Sequence, residues 1–238
     1  NFLHGEPLGL ADKVFFFKRT LREAALKHNM YATFMAKPMT GEPGSAMHIH
    51  QSVVDTQTGH NIFSNPDGTS SVKFFHYIGG LQRYMPAAMA IVAPYVNSYR
   101  RIVRHTAAPI NIQWGRDNRT VGFRVPEAGP QDRRIENRVV GADANPYLAL
   151  AVTLACGYLG MTEQLDPTPI TVDSAYDLDY QLPQSLSEAL DGLRAESKMR
   201  YVLGERFIDV YAAIKDLEYA EFMKVISPWE REHLLLHV

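Results

Sequence analysis

The chain has 238 residues, 46% of them hydrophobic and 21% charged, with a formal net charge of −2. This is ordinary composition for one large globular domain or two small ones, and the charge argues against a general binder of nucleic acid or polyanions. A single cysteine, Cys156, rules out a disulfide framework, and no signal peptide or membrane-spanning stretch is visible, so a reducing cytoplasm is the expected compartment.

The chain opens on Asn1-Phe2-Leu3 with no methionine, and a piece of a longer protein is expected. Ala11 to Asn29 reads as a helix capped by Asp12, with Val14, Phe15, Phe17, Leu21, Ala25 and Leu26 as its apolar stripe. Tyr31 to Ala36 reads as a strand, and Thr40 to Ser45 as a loop of turn residues. Ala46 to Val53 then alternates. His48, His50 and Ser52 share one face, and Met47, Ile49 and Val53 the other. Two histidines so placed suit either a ligand site or plain hydrogen bonding to backbone and water. Asp55 to Ser71 is a polar loop. Val72 to Met85 reads as a helix interrupted at Pro86, resuming from Ala87 to Ala93.

Asn97 to Arg138 holds nine arginines against four acidic residues. They sit among prolines and short β-branched segments, Pro109–Ile112 and Val121–Pro126, which suits strands lining a cavity for an anionic ligand. Arg100 and Arg133 have the wrong parity and are expected bystanders. On a strand, Arg134, Glu136 and Arg138 point one way and Ile135 and Val139 the other. Alone, that face fits either solvated salt bridges or a site holding a metal ion with phosphate or carboxylate oxygens.

Asn145 caps a buried helix with Pro146 in its first position. Pro167 to Pro183 is a loop without periodicity. Ser185 or Ser187 opens another helix, Tyr201 to Met223 forms one more, and Trp229 to Val238 closes the chain with an apolar end suited to a partner subunit. No internal repeat or domain linker is visible.

Six ordered stretches resemble the glutamine synthetase superfamily over nearly the whole chain. They are Ala32–Pro38, Gly44–His50, Asn97–Arg101, Asn118-Arg119 through Arg124-Val125-Pro126, Arg133–Glu136 and Ala144–Leu148. The stretches Met35–Met39, Glu42–His48 and Arg134–Arg138, with the tail from Trp229, are similar to the γ-glutamylpolyamine (γ-glutamylputrescine) synthetase branch.

The resemblance implies an α+β fold: a curved antiparallel sheet or half-barrel flanked by helices. Residues 1–238 would be the C-terminal part of the catalytic domain, lacking the N-terminal β-grasp domain and the first catalytic strands, and inactive alone. It implies an ATP-dependent ligase that joins the γ-carboxylate of glutamate to a primary amine or polyamine through an acyl phosphate, with Mg2+ or Mn2+. His48 and Glu136 would ligate metal. His50, Ser52, Arg124 and Arg134 would face ATP, and Arg119 the transferring phosphoryl group. Arg101, Arg138 and the Gly44 carbonyl would hold glutamate. A ring-shaped homo-oligomer, such as a dodecamer of two stacked hexamers, is expected, with no nucleic-acid or membrane partner.

One departure bears on the nucleophile. Thr106-Ala107-Ala108-Pro109 puts Ala107 where glutamine synthetases carry the glutamate that helps bind and deprotonate ammonium, which points to a larger amine. A glutamine synthetase using ammonia and a catalytically silent assembly homologue are the alternatives. Tyr180 resembles the tyrosine adenylylated in bacterial glutamine synthetases, although the residue after it differs.

Overall fold

The computed structural model describes residues 2–237; Asn1 and Val238, the last residue of the expected C-terminal helix, lie outside the described residues. At its centre α2 (Val72–Val92) crosses α4 (Pro146–Glu163) with the backbones in contact. A Cβ on Gly80 would sit 2.2 Å from the Cys156 carbonyl oxygen, and one on Gly160 2.2 Å from that of His76. Asn145 caps α4 as expected, accepting from the Tyr147 and Leu148 N–H groups. Pro86 does not interrupt α2, contrary to expectation. An interior proline costs about 3 kcal/mol, but α2 is packed between α4 and α5 (Leu186–Ala195), and that burial outweighs the loss.

Four short strands form one open sheet: β1 (Ile49–Gln51), β2 (Trp114–Arg116), β3 (Phe123–Val125) and β4 (Ile135–Asn137), in the order β1-β4-β3-β2. The fold is α+β, as expected. The sheet, however, is mixed: β1–β4 and β4–β3 are antiparallel, whereas β3 and β2 run parallel. The link between them folds back through Asp117, whose φ of 45° is left-handed, so β3 restarts beside Trp114 in the same direction. Ile49, Phe123 and Ile135 bury one face of the sheet in the core. Asn137 joins them at 0% exposure, its amide donating to Thr153 Oγ1 at 3.2 Å and its oxygen accepting from Val139 N at 3.0 Å.

Other local expectations differ from the structure. Tyr31–Ala36 and Pro109–Ile112 are not strands. α1 (Pro7–Lys27) starts earlier than read, because Glu6 caps it through Leu8 and Gly9 with Pro7 in the first position. Asp12 instead accepts from the Tyr147 hydroxyl at 2.6 Å. Of α1 only Ala11 is buried, and Phe15, Phe17, Leu21 and Leu26 are exposed. The helix expected over Tyr201–Met223 divides at Gly204, φ 92°, into α6 (Ser197–Leu203) and α7 (Glu205–Met223). α3 (Val96–Tyr99) is one turn, and α8 (Pro228–Leu234) opens on a Ser227/Glu230 capping box. No helix among the described residues is long and apolar enough to cross a membrane.

Candidate active site

Register builds the site. His50 stands opposite Glu136 across β1–β4, and Glu136 opposite Arg124 across β4–β3. Directly opposed residues share a face, so this row crosses the side of the sheet away from the core. His48 and Arg138 extend it.

Glu136 is the hub. Its side chain is 3% exposed; Oε1 meets His48 Nδ1 at 2.9 Å and Arg138 Nη1 at 3.0 Å, and Oε2 meets Arg124 Nη1 at 2.7 Å. Burial pushes the carboxyl up, but the hydrogen bonds from His48 and Arg124 and the Arg138 and His48 charges override it, holding the pKa at about 2. The group is a carboxylate at neutral pH. Arg124 also donates Nη2 to Asp117 at 2.6 Å, and the Nε atoms of Arg124 and Arg138 are buried without partners.

His50 has a pKa below its ordinary value. Burial lowers its pKa and the Arg134, His48 and Arg124 charges reinforce that, with Glu136 alone pulling upward. Arg134 Nε donates to His50 Nδ1 at 3.4 Å, which places the imidazole proton on Nε2.

The remaining predicted residues surround this row. Ser52 is exposed on the same face as His50, beyond β1. Arg119 is exposed on the turn after β2 and makes no side-chain hydrogen bond or ion pair among the described residues. Arg101 is buried, with Nη1 and Nη2 donating to the Val139 and Arg138 carbonyls at 2.8 Å each. In this arrangement it braces the segment carrying Arg138 and does not face the open row. Gly44 lies on its stem, since a Cβ there would fall 2.8 Å from Arg101 Cγ. Arg100 stands outside the row, as expected. Arg133 does too, and clasps the 63–70 loop by donating to Ser64 Oγ at 2.6 Å, Thr69 O at 2.7 Å and Gly68 O at 2.9 Å. Tyr180 packs under the Arg104 guanidinium, 5.2 Å from its ring centre, and its hydroxyl accepts from Arg104 N at 3.2 Å.

Sequence reasoning missed Asp117, the second partner of Arg124. Its signal was the Gly115-Arg116-Asp117-Asn118 turn pattern directly after a strand. The imidazole of His48 and the carboxylate of Glu136 suit a divalent cation in kind but not in number, since such ions take four or more ligands. Among the described residues no cluster of three or more His, Cys, Asp or Glu is present. The two residues therefore form part of a metal site at most.

The chain thus carries a cation-ringed carboxylate on the sheet face away from the core of an α+β fold. It belongs to the glutamine synthetase family: the family model "Glutamine synthetase, catalytic domain" matches residues 1–234. It is 34% identical over 246 residues to the glutamine synthetase of Halobacterium salinarum, covering 99% of this chain and 54% of that protein. It is 38% identical over 237 residues to the Escherichia coli gamma-glutamylputrescine synthetase PuuA, covering 99% of this chain and 50% of that protein. A solved GmaS/ADP complex superposes with a TM-score of 0.90 at 32% identity, over 99% of this chain and 56% of that one. The chain thus spans about half the length of the curated relatives it matches.

Proposed function

We propose that the chain forms one wall of an ATP-dependent ligase joining the γ-carboxylate of glutamate to an organic amine, a polyamine such as putrescine. The carboxylate oxygen attacks the γ-phosphorus of ATP, expelling ADP and forming γ-glutamyl phosphate. The amine nitrogen then attacks the acyl carbon, and phosphate leaves.

The observation that carries this reading is Glu136 clasped by His48, Arg124 and Arg138 on the face of the sheet away from the core. Phosphoryl transfer needs fixed cations around developing charge, and preorganised guanidiniums supply them without reorganisation. Arg124 and Arg134 face the phosphates, with His50 and Ser52 beside the nucleotide. Arg119, without a side-chain partner among the described residues, reaches the transferring group. Arg138 holds the glutamate carboxylate, and Arg101 and Gly44 back it from the interior. His48 and Glu136 contribute two ligands to a Mg2+ or Mn2+ ion, which when bound screens the phosphate oxygens. The likeness to PuuA and to a GmaS/ADP complex supports an amine acceptor and a nucleotide. The exposed Phe15, Phe16, Leu235 and Leu236 support assembly into a homo-oligomer.

A second reading, a glutamine synthetase using ammonia, is favoured by the name of the Halobacterium relative. Ala107 favours the first. The test uses the intact protein with glutamate, ATP and magnesium, comparing phosphate release with putrescine, spermidine, ethanolamine, isopropylamine and ammonium. An organic amine is expected to give the highest kcat/KM; ammonium surpassing all of them would reject the first reading.

A further inference from the structure

A cleft of about 230 Å³ opens between α3, the start of α5 and the end of α7, and it shares no residue with the row around Glu136. Val96, Leu186, Tyr219 and Phe222 supply its apolar wall. Tyr219 and Phe222 are three residues apart on α7, which puts both rings on one helix face. The rings lie 6.4 Å apart between centres and are tilted by 23°. A volume below the roughly 300–1,000 Å³ of drug-sized pockets fits a small molecule.

The polar side of the cleft is cationic. Among the described residues Arg100 is the one charged group in the lining; it is exposed, and its guanidinium makes no hydrogen bond or ion pair with them. Tyr99 beside it is 7% exposed, and its hydroxyl is buried without a partner. Burial, helped by Tyr211, Asp143 and Glu188, raises the pKa of that phenol, so it remains a hydrogen-bond donor. A buried donor left unpaired is a cost to the fold that a ligand oxygen would relieve. The N-terminus of α5 also borders the cleft, but it is already capped. Ser185 Oγ accepts from Glu188 N at 3.2 Å, and Glu188 Oε2 accepts from Gln184 N at 2.8 Å. The group that attracts an anion is therefore Arg100 and not the helix end.

We propose that this cleft is a second ligand site, for a small aromatic carboxylate. The carboxylate pairs with the Arg100 guanidinium, with the Tyr99 hydroxyl as a further donor, and the ring lies against Tyr219 and Phe222. Neither half suffices. An inorganic anion leaves the aromatic wall uncovered, and water screens its attraction to one exposed guanidinium. An uncharged ring forgoes the ion pair. The assignment stands apart from the ligase reading, and it gives a role to the arginine whose parity excludes it from the strand face.

Isothermal titration of the intact protein with phenylacetate tests this, with 2-phenylethanol and inorganic phosphate as probes that each lack one half. Phenylacetate, with roughly ten heavy atoms, is expected to saturate one site at about millimolar concentration. Arg100→Met, at an exposed position, should weaken binding at least about tenfold. Tyr219→Leu should weaken it about three- to tenfold, and Tyr99→Phe about threefold. Saturating ATP and glutamate should leave the affinity within about twofold. Phenylacetate that fails to saturate, either control probe binding as tightly, or Arg100→Met without effect overturns the proposal. Displacement by ATP, or a loss of binding with Arg134→Met equal to that with Arg100→Met, would place the ligand on the Glu136 row and overturns it too.

Discussion

Arg124 and Glu136 face each other as cross-strand partners of β3 and β4, and their side chains close the pair at 2.7 Å. Backbone register and side-chain chemistry fix the same contact. Glu136 also takes His48 and Arg138, so its single negative charge offsets part of the repulsion between the two guanidiniums. Glu136→Gln keeps the shape and removes the charge. It is expected to lower unfolding free energy by about 3 kcal/mol, because buried cations lose their counter-charge. Phosphate release should fall at least about 100-fold. Urea unfolding and a phosphate assay on the intact protein check both.

Arg119 makes the opposite case. It is exposed and makes no side-chain bond among the described residues, while its neighbours Asn118 and Thr120 carry the hydrogen bonds that shape the turn. Arg119→Ala is therefore expected to change stability by no more than about 0.5 kcal/mol, yet to reduce kcat by roughly 100- to 1000-fold. A variant that loses stability and activity together would make Arg119 a structural residue.

The row of side chains across the candidate site was legible because strands alternate. The faces read for His48/His50/Ser52 and for Arg134/Glu136/Arg138 need only period two, and the sheet keeps it. The caps at Asn145 and Ser185 were equally local. What failed depended on distant contacts. Pro86 stays helical because of α4 and α5, and the parallel β2–β3 pair depends on the left-handed Asp117. The inward hydrogen bonds of Arg101 also lay beyond local reading, since their carbonyls are 37 and 38 residues further along the chain.

In the proposed reaction Ala107 is expected to bias the choice of nucleophile. Ala107→Glu restores an anion on a loop whose conformation is already fixed by Thr106. The ratio of ammonium to organic-amine kcat/KM is expected to rise about tenfold. Competition between putrescine and ammonium in one reaction, with both products quantified, measures the ratio directly. A ratio that does not move would place the amine site away from this loop.

Glycines within the helices offer a packing test with its own control. A Cβ on Gly80 would meet the Cys156 carbonyl at 2.2 Å and Gly160 Cα at 2.5 Å, both backbone atoms that cannot swing aside. Gly80→Ala is expected to cost at least about 3 kcal/mol by forcing α2 from α4. In α5, a Cβ on Gly192 comes no closer than 3.9 Å to the Ala87 Cα. Gly192→Ala should therefore stabilise by about 0.5–1 kcal/mol through helix propensity. Equal effects from the two substitutions would contradict the backbone contact between α2 and α4.

Asp143 gives a pH dependence separable from the site. Its Oδ2 accepts from Ser98 Oγ at 2.6 Å, and Oδ1 is buried without a partner. Burial raises its pKa above 3.8, outweighing the Ser98 hydrogen bond and the Arg101 and Lys18 charges. The folded state therefore binds this proton more tightly than the unfolded chain does. The contribution favours folding below 3.8 and is lost as pH rises through the elevated folded value. Asp143→Asn keeps an acceptor for Ser98 and carries no charge at any pH. Relative to wild type, the variant should gain stability as pH rises from about 3 to about 6 and then level off. Paired urea unfolding curves across that range read the difference. Parallel stability profiles would mean that the Arg101 and Lys18 charges fully offset the burial of Asp143.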